Sequence, residues 1–186
     1  MHLFELTKYS QNTIAIDSFN KEYSYNDLSL FIKDIGVVLN RGLMVCLCKN
    51  HISSLFGYLA FIENNIPTIM LDAQQDVGLT NDLIEHYKPN YIWLPDDLKS
   101  GYIKNDTQEL FSYSGYSLLY ISNYNHNLHP NLALLLPTSG STGSPKLVRL
   151  TKENLKTNAE SIANYLNITS KERPITSLPM HYSYGI

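Results

Sequence analysis

Short apolar runs alternate with amphipathic stretches along the chain, and this alternation predicts an α/β domain. The apolar runs are rich in isoleucine, leucine and valine and are bounded by polar residues, as buried strands are. The amphipathic stretches repeat apolar residues every three or four positions, as one face of a helix does. Because strands joined by helical crossovers run parallel, we expect a mostly parallel sheet flanked by helices.

The pattern also predicts the order of the elements. A hairpin of residues 13–17 and 22–24 comes first, and Ser24 then caps a helix that ends at Gly42, with Asp27 completing a capping box. The other predicted strands are residues 43–48, 67–71, 91–94, 117–122, 132–136, 147–150 and 175–178. The other predicted helices are residues 51–64, 79–87 and 153–166, the last of them capped by Thr151.

The apolar faces of the first and last helices are candidates for the core. On the first helix this face consists of Leu28, Phe31, Ile32, Ile35 and Leu39. On the last helix it consists of Leu155, Ala159, Ile162 and Leu166. We expect both faces to be buried. Residues 95–130 give a weaker pattern, which predicts loops and short strands.

The segment of residues 138–146, with the sequence TSGSTGSPK, points to phosphate binding. Its glycines let backbone N–H groups converge on an anion, its hydroxyl groups add donors, and Lys146 adds a positive charge. A flexible Gly/Ser linker has a similar composition. That interpretation fits poorly, because predicted strands flank the segment on both sides and ordered loops between strands more often carry function.

Two common phosphate-binding motifs do not match this segment. The nucleoside-triphosphatase loop G-x-x-x-x-G-K-[ST], started at Gly140, requires a second glycine where Pro145 stands. It also requires a hydroxyl residue where Leu147 stands, and a helix where the pattern predicts a strand. The dinucleotide motif G-x-G-x-x-G is excluded because Gly140 and Gly143 are three positions apart.

The segment instead resembles the phosphate loop of the adenylate-forming superfamily, which it matches at every constrained position. Residues 177–185, SLPMHYSYG, resemble the segment in which acyl-CoA ligases carry a histidine or an aromatic residue beside the acyl and ATP pockets. Residues 23–28 and 59–72 are similar to an early helix start and to a helix-to-strand stretch of the same family. The resemblance therefore extends over nearly the whole chain in motif order.

This resemblance implies an ATP-dependent enzyme that uses Mg²⁺ and converts a carboxylic acid into an acyl-adenylate. The acyl group then passes to the thiol of CoA or of a carrier protein. The resemblance implies a pocket and gate role for His181 and Gly185, and an acyl or aryl acid as substrate, because peptide synthetases carry an aspartate in this segment. The residues it implies for phosphate binding are Thr138, Ser139, Gly140, Ser141, Thr142, Gly143 and Lys146.

In family order, the magnesium carboxylate, the ribose aspartate, the hinge and a late lysine all follow the histidine segment. The chain ends at Ile186, so we expect residues 1–186 to be an incomplete N-terminal adenylation domain that is inactive alone and holds no metal ligand. A short homologue that binds a nucleotide or a partner without catalysis is the alternative. A phosphate-loop hydrolase is disfavoured by Pro145 and Leu147.

Composition and charge limit the classes of protein to which the chain can belong. The net charge of −3 gives no footprint for nucleic acid, and the sequence predicts neither a membrane span nor a signal peptide. Cys46 and Cys48 lie two apart on a predicted strand and are expected to be reduced core residues, which favours the cytoplasm. His126 and His129 have no third ligand nearby, so a metal site is not predicted there.

Overall fold

The computed structural model describes residues 6–104, 106–137 and 146–182. Short 3-10 helices occupy Leu6–Tyr9 and Asp96–Gly101. The helices are α1 (Tyr25–Val38), α2 (Ile52–Glu63), α3 (Val77–Tyr87) and α4 (Lys152–Tyr165). The strands are β1 (Thr13–Ile16), β2 (Glu22–Ser24), β3 (Met44–Cys48), β4 (Thr68–Asp72), β5 (Tyr91–Pro95), β6 (Gln108–Tyr113), β7 (Tyr116–Tyr120), β8 (Leu132–Pro137) and β9 (Leu147–Thr151).

Seven of these strands form one mixed sheet in the order β6-β7-β5-β3-β4-β8-β9. Strands β5, β3, β4 and β8 are parallel to one another, and the antiparallel strands β7 and β9 flank them. Strands β1 and β2 form a separate antiparallel hairpin. The predicted α/β class, with a mostly parallel sheet flanked by helices, is confirmed.

The sheet separates two hydrophobic clusters, because successive side chains of a strand point to opposite faces. Cys46, Cys48 and Met70 lie in the cluster that contains the apolar residues of α1 and α2, such as Phe31 and Phe56. The residues that alternate with them along β3 and β4 lie in the other cluster, which contains Leu83 of α3. They are Val45, Leu47, Ile69 and Leu71. All five residues of β3 and all five of β5 are buried, which explains their continuous apolar sequences.

Capping boxes start both helices for which the sequence predicted an N-cap. The Ser24 hydroxyl accepts from the Asp27 N–H at 3.1 Å, and the Asp27 carboxylate accepts from the Ser24 N–H at 2.7 Å. These bonds to Ser24 lower the pKa of the Asp27 carboxyl. Thr151 and Asn154 make the equivalent pair at the start of α4. Both predicted caps are confirmed.

Arg41 connects the amino ends of the parallel strands. Its guanidinium donates to the carbonyl of Asn65 at 2.8 Å and to the carbonyls of His129 and Pro130 at 2.9 and 3.2 Å. Asn65 precedes β4, and the other two residues precede β8. One planar side chain thus satisfies three carbonyl groups on the two connections that enter neighbouring strands.

The cysteine prediction is also confirmed. Cys46 and Cys48 are buried and free, with their Sγ atoms 3.6 Å apart on one side of the sheet. A hydrogen bond with Cys48 and burial raise the pKa of the Cys46 thiol, which keeps it protonated. His126 and His129 bind backbone groups: His126 Nε2 lies 2.8 Å from the Lys88 carbonyl, and His129 Nδ1 accepts from the Asn131 N–H at 3.2 Å.

The weaker pattern of residues 95–130 predicted loops and short strands but did not place β6, because polar residues interrupt its apolar positions. This strand pairs with β7 through a turn in which Ser114 and Gly115 have positive φ. Two parts of the predicted pattern are wrong. The strand predicted at 175–178 does not form: Ile175 is 90% exposed and has no neighbouring strand to pair with. The predicted core face of the last helix is not buried, since none of the α4 residues is buried.

Smaller differences lie at helix ends: α1 ends at Val38 and α3 begins at Val77.

In the part of the chain that the structure describes, no helix has both the length and the apolar character needed to cross a membrane.

The contact between α2 and β5 gives a test of the fold. A Cβ added at Gly57 would lie 2.6 Å from Trp93 Nε1, which donates to the Ser53 carbonyl at 2.9 Å. We expect Gly57→Ala to lower the free energy of unfolding by about 1–3 kcal/mol, because the buried indole must move. Urea denaturation measures the effect. Gly101→Ala is the control, since its nearest contact is Val77 Cγ1 at 3.9 Å. Equal stabilities of the two variants would contradict the packing described.

Candidate functional site

The carboxyl ends of β5, β3, β4 and β8 meet at one edge of the sheet, the position at which open α/β sheets bind ligands. The predicted phosphate loop connects β8 to β9 at this edge. Pro137 and Leu147 are paired in the ladder of these two strands, so the chain leaves and re-enters the sheet at adjacent points. The structure therefore fixes both attachment points of the loop.

Of the predicted phosphate-binding residues, Lys146 is described. It is exposed and directly precedes β9, at the same edge as the end of β8, because β9 is antiparallel to β8. The others lie outside the described residues, as does the pocket residue Gly185. They are Thr138, Ser139, Gly140, Ser141, Thr142 and Gly143.

His181 reaches this edge through a turn, not through the strand that the sequence predicted. Met180 is buried in the same cluster as Met70 and Leu136, and it holds the segment against the sheet. The Tyr182 N–H donates to the Pro179 carbonyl at 3.0 Å and closes the turn. His181 Nε2 consequently lies 3.9 Å from Oδ2 of Asp72, the last residue of β4.

Strand β4 is hydrogen-bonded to β8, from which the phosphate loop leaves. The structure thus brings the histidine segment and the start of the predicted loop to neighbouring strand ends, although the strand predicted to lead to His181 does not form. The motif pointed to His181, but it gave no indication of the contact with Asp72. A signal for Asp72 was present in the sequence, since it directly follows the predicted strand 67–71.

The surroundings of His181 leave one ring nitrogen unused. The side chain is 20% exposed, and its Nδ1 atom is buried with no hydrogen-bond partner among the described residues. The distance of 3.9 Å from Nε2 to Asp72 is longer than a hydrogen bond. Asp72 itself accepts from the Gln74 N–H through Oδ1 at 2.9 Å. An imidazole in this setting can donate to or accept from a polar group brought to the edge.

A second polar cluster lies on the same edge, at the ends of β3 and β5, and was not predicted from the sequence. Lys49 pairs with Asp97 at 2.8 Å, and its N–H donates to the Tyr116 hydroxyl at 3.1 Å. The Tyr116 hydroxyl also lies 2.8 Å from Ser54 Oγ, and burial raises the pKa of this phenol. His51 stacks on the Tyr116 ring, and burial lowers the pKa of its imidazole. This network secures the loop after β3.

Within residues 6–104, 106–137 and 146–182, no three His, Cys, Asp or Glu side chains come together as a metal site. No magnesium ligand is assigned among these residues.

The anchoring of His181 can be tested through Met180. We expect Met180→Ala to lower the free energy of unfolding by about 2 kcal/mol and to speed hydrogen exchange of the Tyr182 N–H, because the buried side chain holds this turn. Denaturation and amide exchange measured by NMR report the two effects. Ile175→Ala, a change at an exposed position of the same segment, serves as the control. Unchanged exchange at Tyr182 in Met180→Ala would show that the anchor lies elsewhere.

The chain is similar to known proteins in sequence and in structure. No protein-family model matches the chain. The nonribosomal peptide synthetase GRA1 of Gibberella zeae is 24% identical over 182 residues, an alignment that covers 91% of this chain and 2% of that protein. Malformin synthetase mlfA of Aspergillus neoniger is 52% identical over 42 residues, which cover 23% of this chain and 1% of that protein.

Solved structures resemble the chain over nearly all of its length. Apo MatB from Rhodopseudomonas palustris superposes with a TM-score of 0.75 at 18% identity, covering 99% of this chain and 41% of that one. O-succinylbenzoate coenzyme A synthetase (MenE) from Bacillus subtilis, in complex with AMP, gives 0.75 at 19% identity, covering 100% and 51%. The chain thus spans about half of the solved structures or less, and a small fraction of the curated relatives. Over nearly its whole length it has the fold that MatB and MenE share.

Proposed function

We propose that this chain is the N-terminal part of an ATP-dependent ligase that activates a carboxylic acid. One observation carries the proposal: the phosphate-loop sequence leaves β8 at the edge where His181 lies 3.9 Å from Asp72, at the end of the neighbouring strand. The two segments that resemble the adenylate-forming family are distant in sequence. Their meeting at one edge supports a shared cleft for ATP and the acid.

The proposed reaction has two steps. A carboxylate oxygen attacks the α-phosphorus of ATP, the bond to the leaving pyrophosphate breaks, and an acyl-adenylate forms. A thiolate sulfur of CoA or of a carrier protein then attacks the acyl carbonyl carbon, and the bond to AMP breaks. Donors that are fixed before the reaction stabilise the charge that develops on the phosphate oxygens and at the acyl carbonyl.

The loop residues supply such donors in this proposal. The hydroxyl groups of Thr138, Ser139, Ser141 and Thr142 and the backbone N–H groups at Gly140 and Gly143 bind phosphate oxygens. Lys146, exposed at the start of β9, neutralises the β- or γ-phosphate. Mg²⁺ would supply further charge to the phosphates when bound, and we place its ligands outside residues 1–186.

His181 lines the acid pocket together with Gly185 and acts as a gate. Its side chain is 20% exposed at this edge, and the exposed part of the ring is available to a bound ligand. An acyl or aryl acid is the proposed substrate, because His181 stands where peptide synthetases carry an aspartate. The cytoplasmic location stays a prediction.

An exchange assay tests the proposed function. We expect the 186-residue chain to show no exchange of labelled pyrophosphate into ATP with any of a panel of acyl, aryl and amino acids, because it lacks the remaining walls of the site. We expect the protein encoded by the complete reading frame to catalyse exchange that depends on one acid of the panel. Robust exchange by the 186-residue chain would overturn its assignment as an incomplete domain, and acid-independent ATP hydrolysis would favour a hydrolase.

The role of Lys146 can be measured in the longer protein. We expect Lys146→Ala to lower kcat/KM for ATP about 10- to 100-fold, since a charge-assisted contact with phosphate contributes about 1.5–3 kcal/mol. The KM for the acid should change little. Lys171→Ala, which removes an exposed lysine from a turn after α4, is the matched control. Equal effects of the two substitutions would remove Lys146 from the phosphate site.

A further inference from the structure

A cleft lies at the amino ends of the parallel strands, away from the candidate site. Its volume is about 280 Å³, and it lies between the last turns of α3, the segment that leads into β6 and the end of β7. These elements meet because Gln108 pairs with Tyr120, which pairs in turn with Tyr91 at the start of β5. His181 and Lys146 lie at the carboxyl ends of the strands. The five residues of β5, about 16 Å of extended chain, therefore separate the cleft from the candidate site along the strand direction.

The floor of the cleft is apolar and belongs to the hydrophobic cluster that contains Leu83. Tyr102 is a buried member of this cluster, and Ile84 and Ile121 pack against it. Pro89, which is also buried, completes the floor. An aromatic ring beside branched and prolyl side chains gives a surface on which a flat apolar group can stack.

The rim of the cleft is polar and carries more positive than negative charge. Glu85 and Lys88 stand on the same side of α3 as Ile84, because residues three or four positions apart share a helix face. Lys104 comes from the segment before β6. All three charged residues are exposed. Since the lining contains two lysines and one glutamate, the rim favours an anion.

The walls of the cleft are held by hydrogen bonds of the chain itself. The Lys104 N–H donates to the Thr107 hydroxyl at 2.9 Å, and the Thr107 N–H donates to the Lys104 carbonyl at 3.0 Å. On the strand side, the Ile121 N–H donates to the Asn90 carbonyl at 2.9 Å. A cleft with a fixed backbone loses little conformational freedom when a ligand binds, which favours affinity.

Lys88 has an unusual backbone conformation for a lysine. Its φ of 47° and ψ of 51° are left-handed, and glycine or asparagine is usual there because a Cβ crowds the next carbonyl oxygen. Its N–H donates to the Ile84 carbonyl at 2.8 Å, and its own carbonyl lies 2.8 Å from His126 Nε2. A strained position that bears a charge beside a cleft points to a use for that charge.

We propose that this cleft binds a small aromatic carboxylate, with its ring on the apolar floor and its carboxylate at Lys88 and Lys104. The sign of the rim selects the anion, and each carboxylate oxygen can accept from an ammonium group. The floor selects a flat apolar body, which an inorganic anion lacks. The volume lies just below the range of about 300–1,000 Å³ of pockets for drug-sized ligands, which selects a single ring. The inference does not rest on the proposed function, because the cleft shares no residue with the candidate site.

A titration of the ¹⁵N-labelled 186-residue chain with benzoate, followed by NMR, tests the inference. We expect the amide signals of Ile84, Tyr102 and Ile121 to shift with a Kd of about 1 mM, as suits a ligand of one ring. Benzamide has the same ring without the charge. It should bind about tenfold more weakly, because it cannot form charge-assisted contacts with the lysines.

Two lysine variants test the charge directly. Lys104→Ala and Lys88→Gly should each weaken benzoate binding about tenfold and leave benzamide binding unchanged. Glycine suits the left-handed conformation at position 88, so Lys88→Gly should not lower the Tm, and its loss of affinity is then not a loss of fold. Lys33→Ala, at an exposed position of α1, is the control and should bind benzoate as the unchanged chain does.

Other results would overturn the inference. An absence of shifts up to about 20 mM benzoate would exclude the ligand class. Equal affinities for benzoate and benzamide, or unchanged benzoate binding in both lysine variants, would exclude the role of the rim. Inorganic phosphate that binds as tightly as benzoate would leave a general anion site without a role for the floor. Shifts centred on Asp72 and Met180 would place the ligand at the opposite edge of the sheet.

Discussion

Burial of the central parallel strands on both faces is the constraint on which the rest of the structure depends. Every residue of β3 and β5 is buried, so a shift of either strand by one residue would exchange the two hydrophobic clusters. The register is therefore fixed. A fixed register places the strand ends, and the strand ends place Asp72 and the segments that carry Lys146 and His181.

The two edges of the sheet are used differently. At the amino edge, Arg41 binds the carbonyl groups of three residues that enter β4 and β8, and the Asn90 side chain accepts from the Leu43 N–H at 2.9 Å. At the amino edge, side chains thus satisfy backbone groups of the chain itself. At the carboxyl edge, His181 retains a ring nitrogen without a partner in the described chain. The carboxyl edge differs at His181, since other side chains there, such as Tyr116 and Asp72, also accept from backbone N–H groups.

The sequence predicted those elements whose signals lie within a few consecutive residues. Strand β3 was predictable because burial on both faces requires an unbroken apolar run, and Ser24 because its cap partner lies three residues away. Strand β6 was missed because its polar residues alternate less regularly and its pairing with β7 supplies the order. The segment 175–178 has a strand-like sequence and forms no strand, because a strand needs a neighbour that its own sequence does not specify.

The candidate site also contains a part that the sequence predicted and a part that it did not. The phosphate loop could be predicted because the residue types that suggest phosphate binding are consecutive in the sequence. The approach of His181 to Asp72 was not, because it depends on where Met180 enters the core. Periodicity likewise showed that one side of α4 is apolar but not what covers it, since the pattern specifies a contact surface without its partner.

Strand β9 connects the predicted phosphate loop to α4. Lys146 precedes its first residue at the edge where the phosphate loop returns, and its last residue, Thr151, caps α4. All five residues of the strand have a partner on β8, so the same ladder positions both of its ends. The position of Lys146 and the start of α4 therefore both depend on the pairing of β9 with β8.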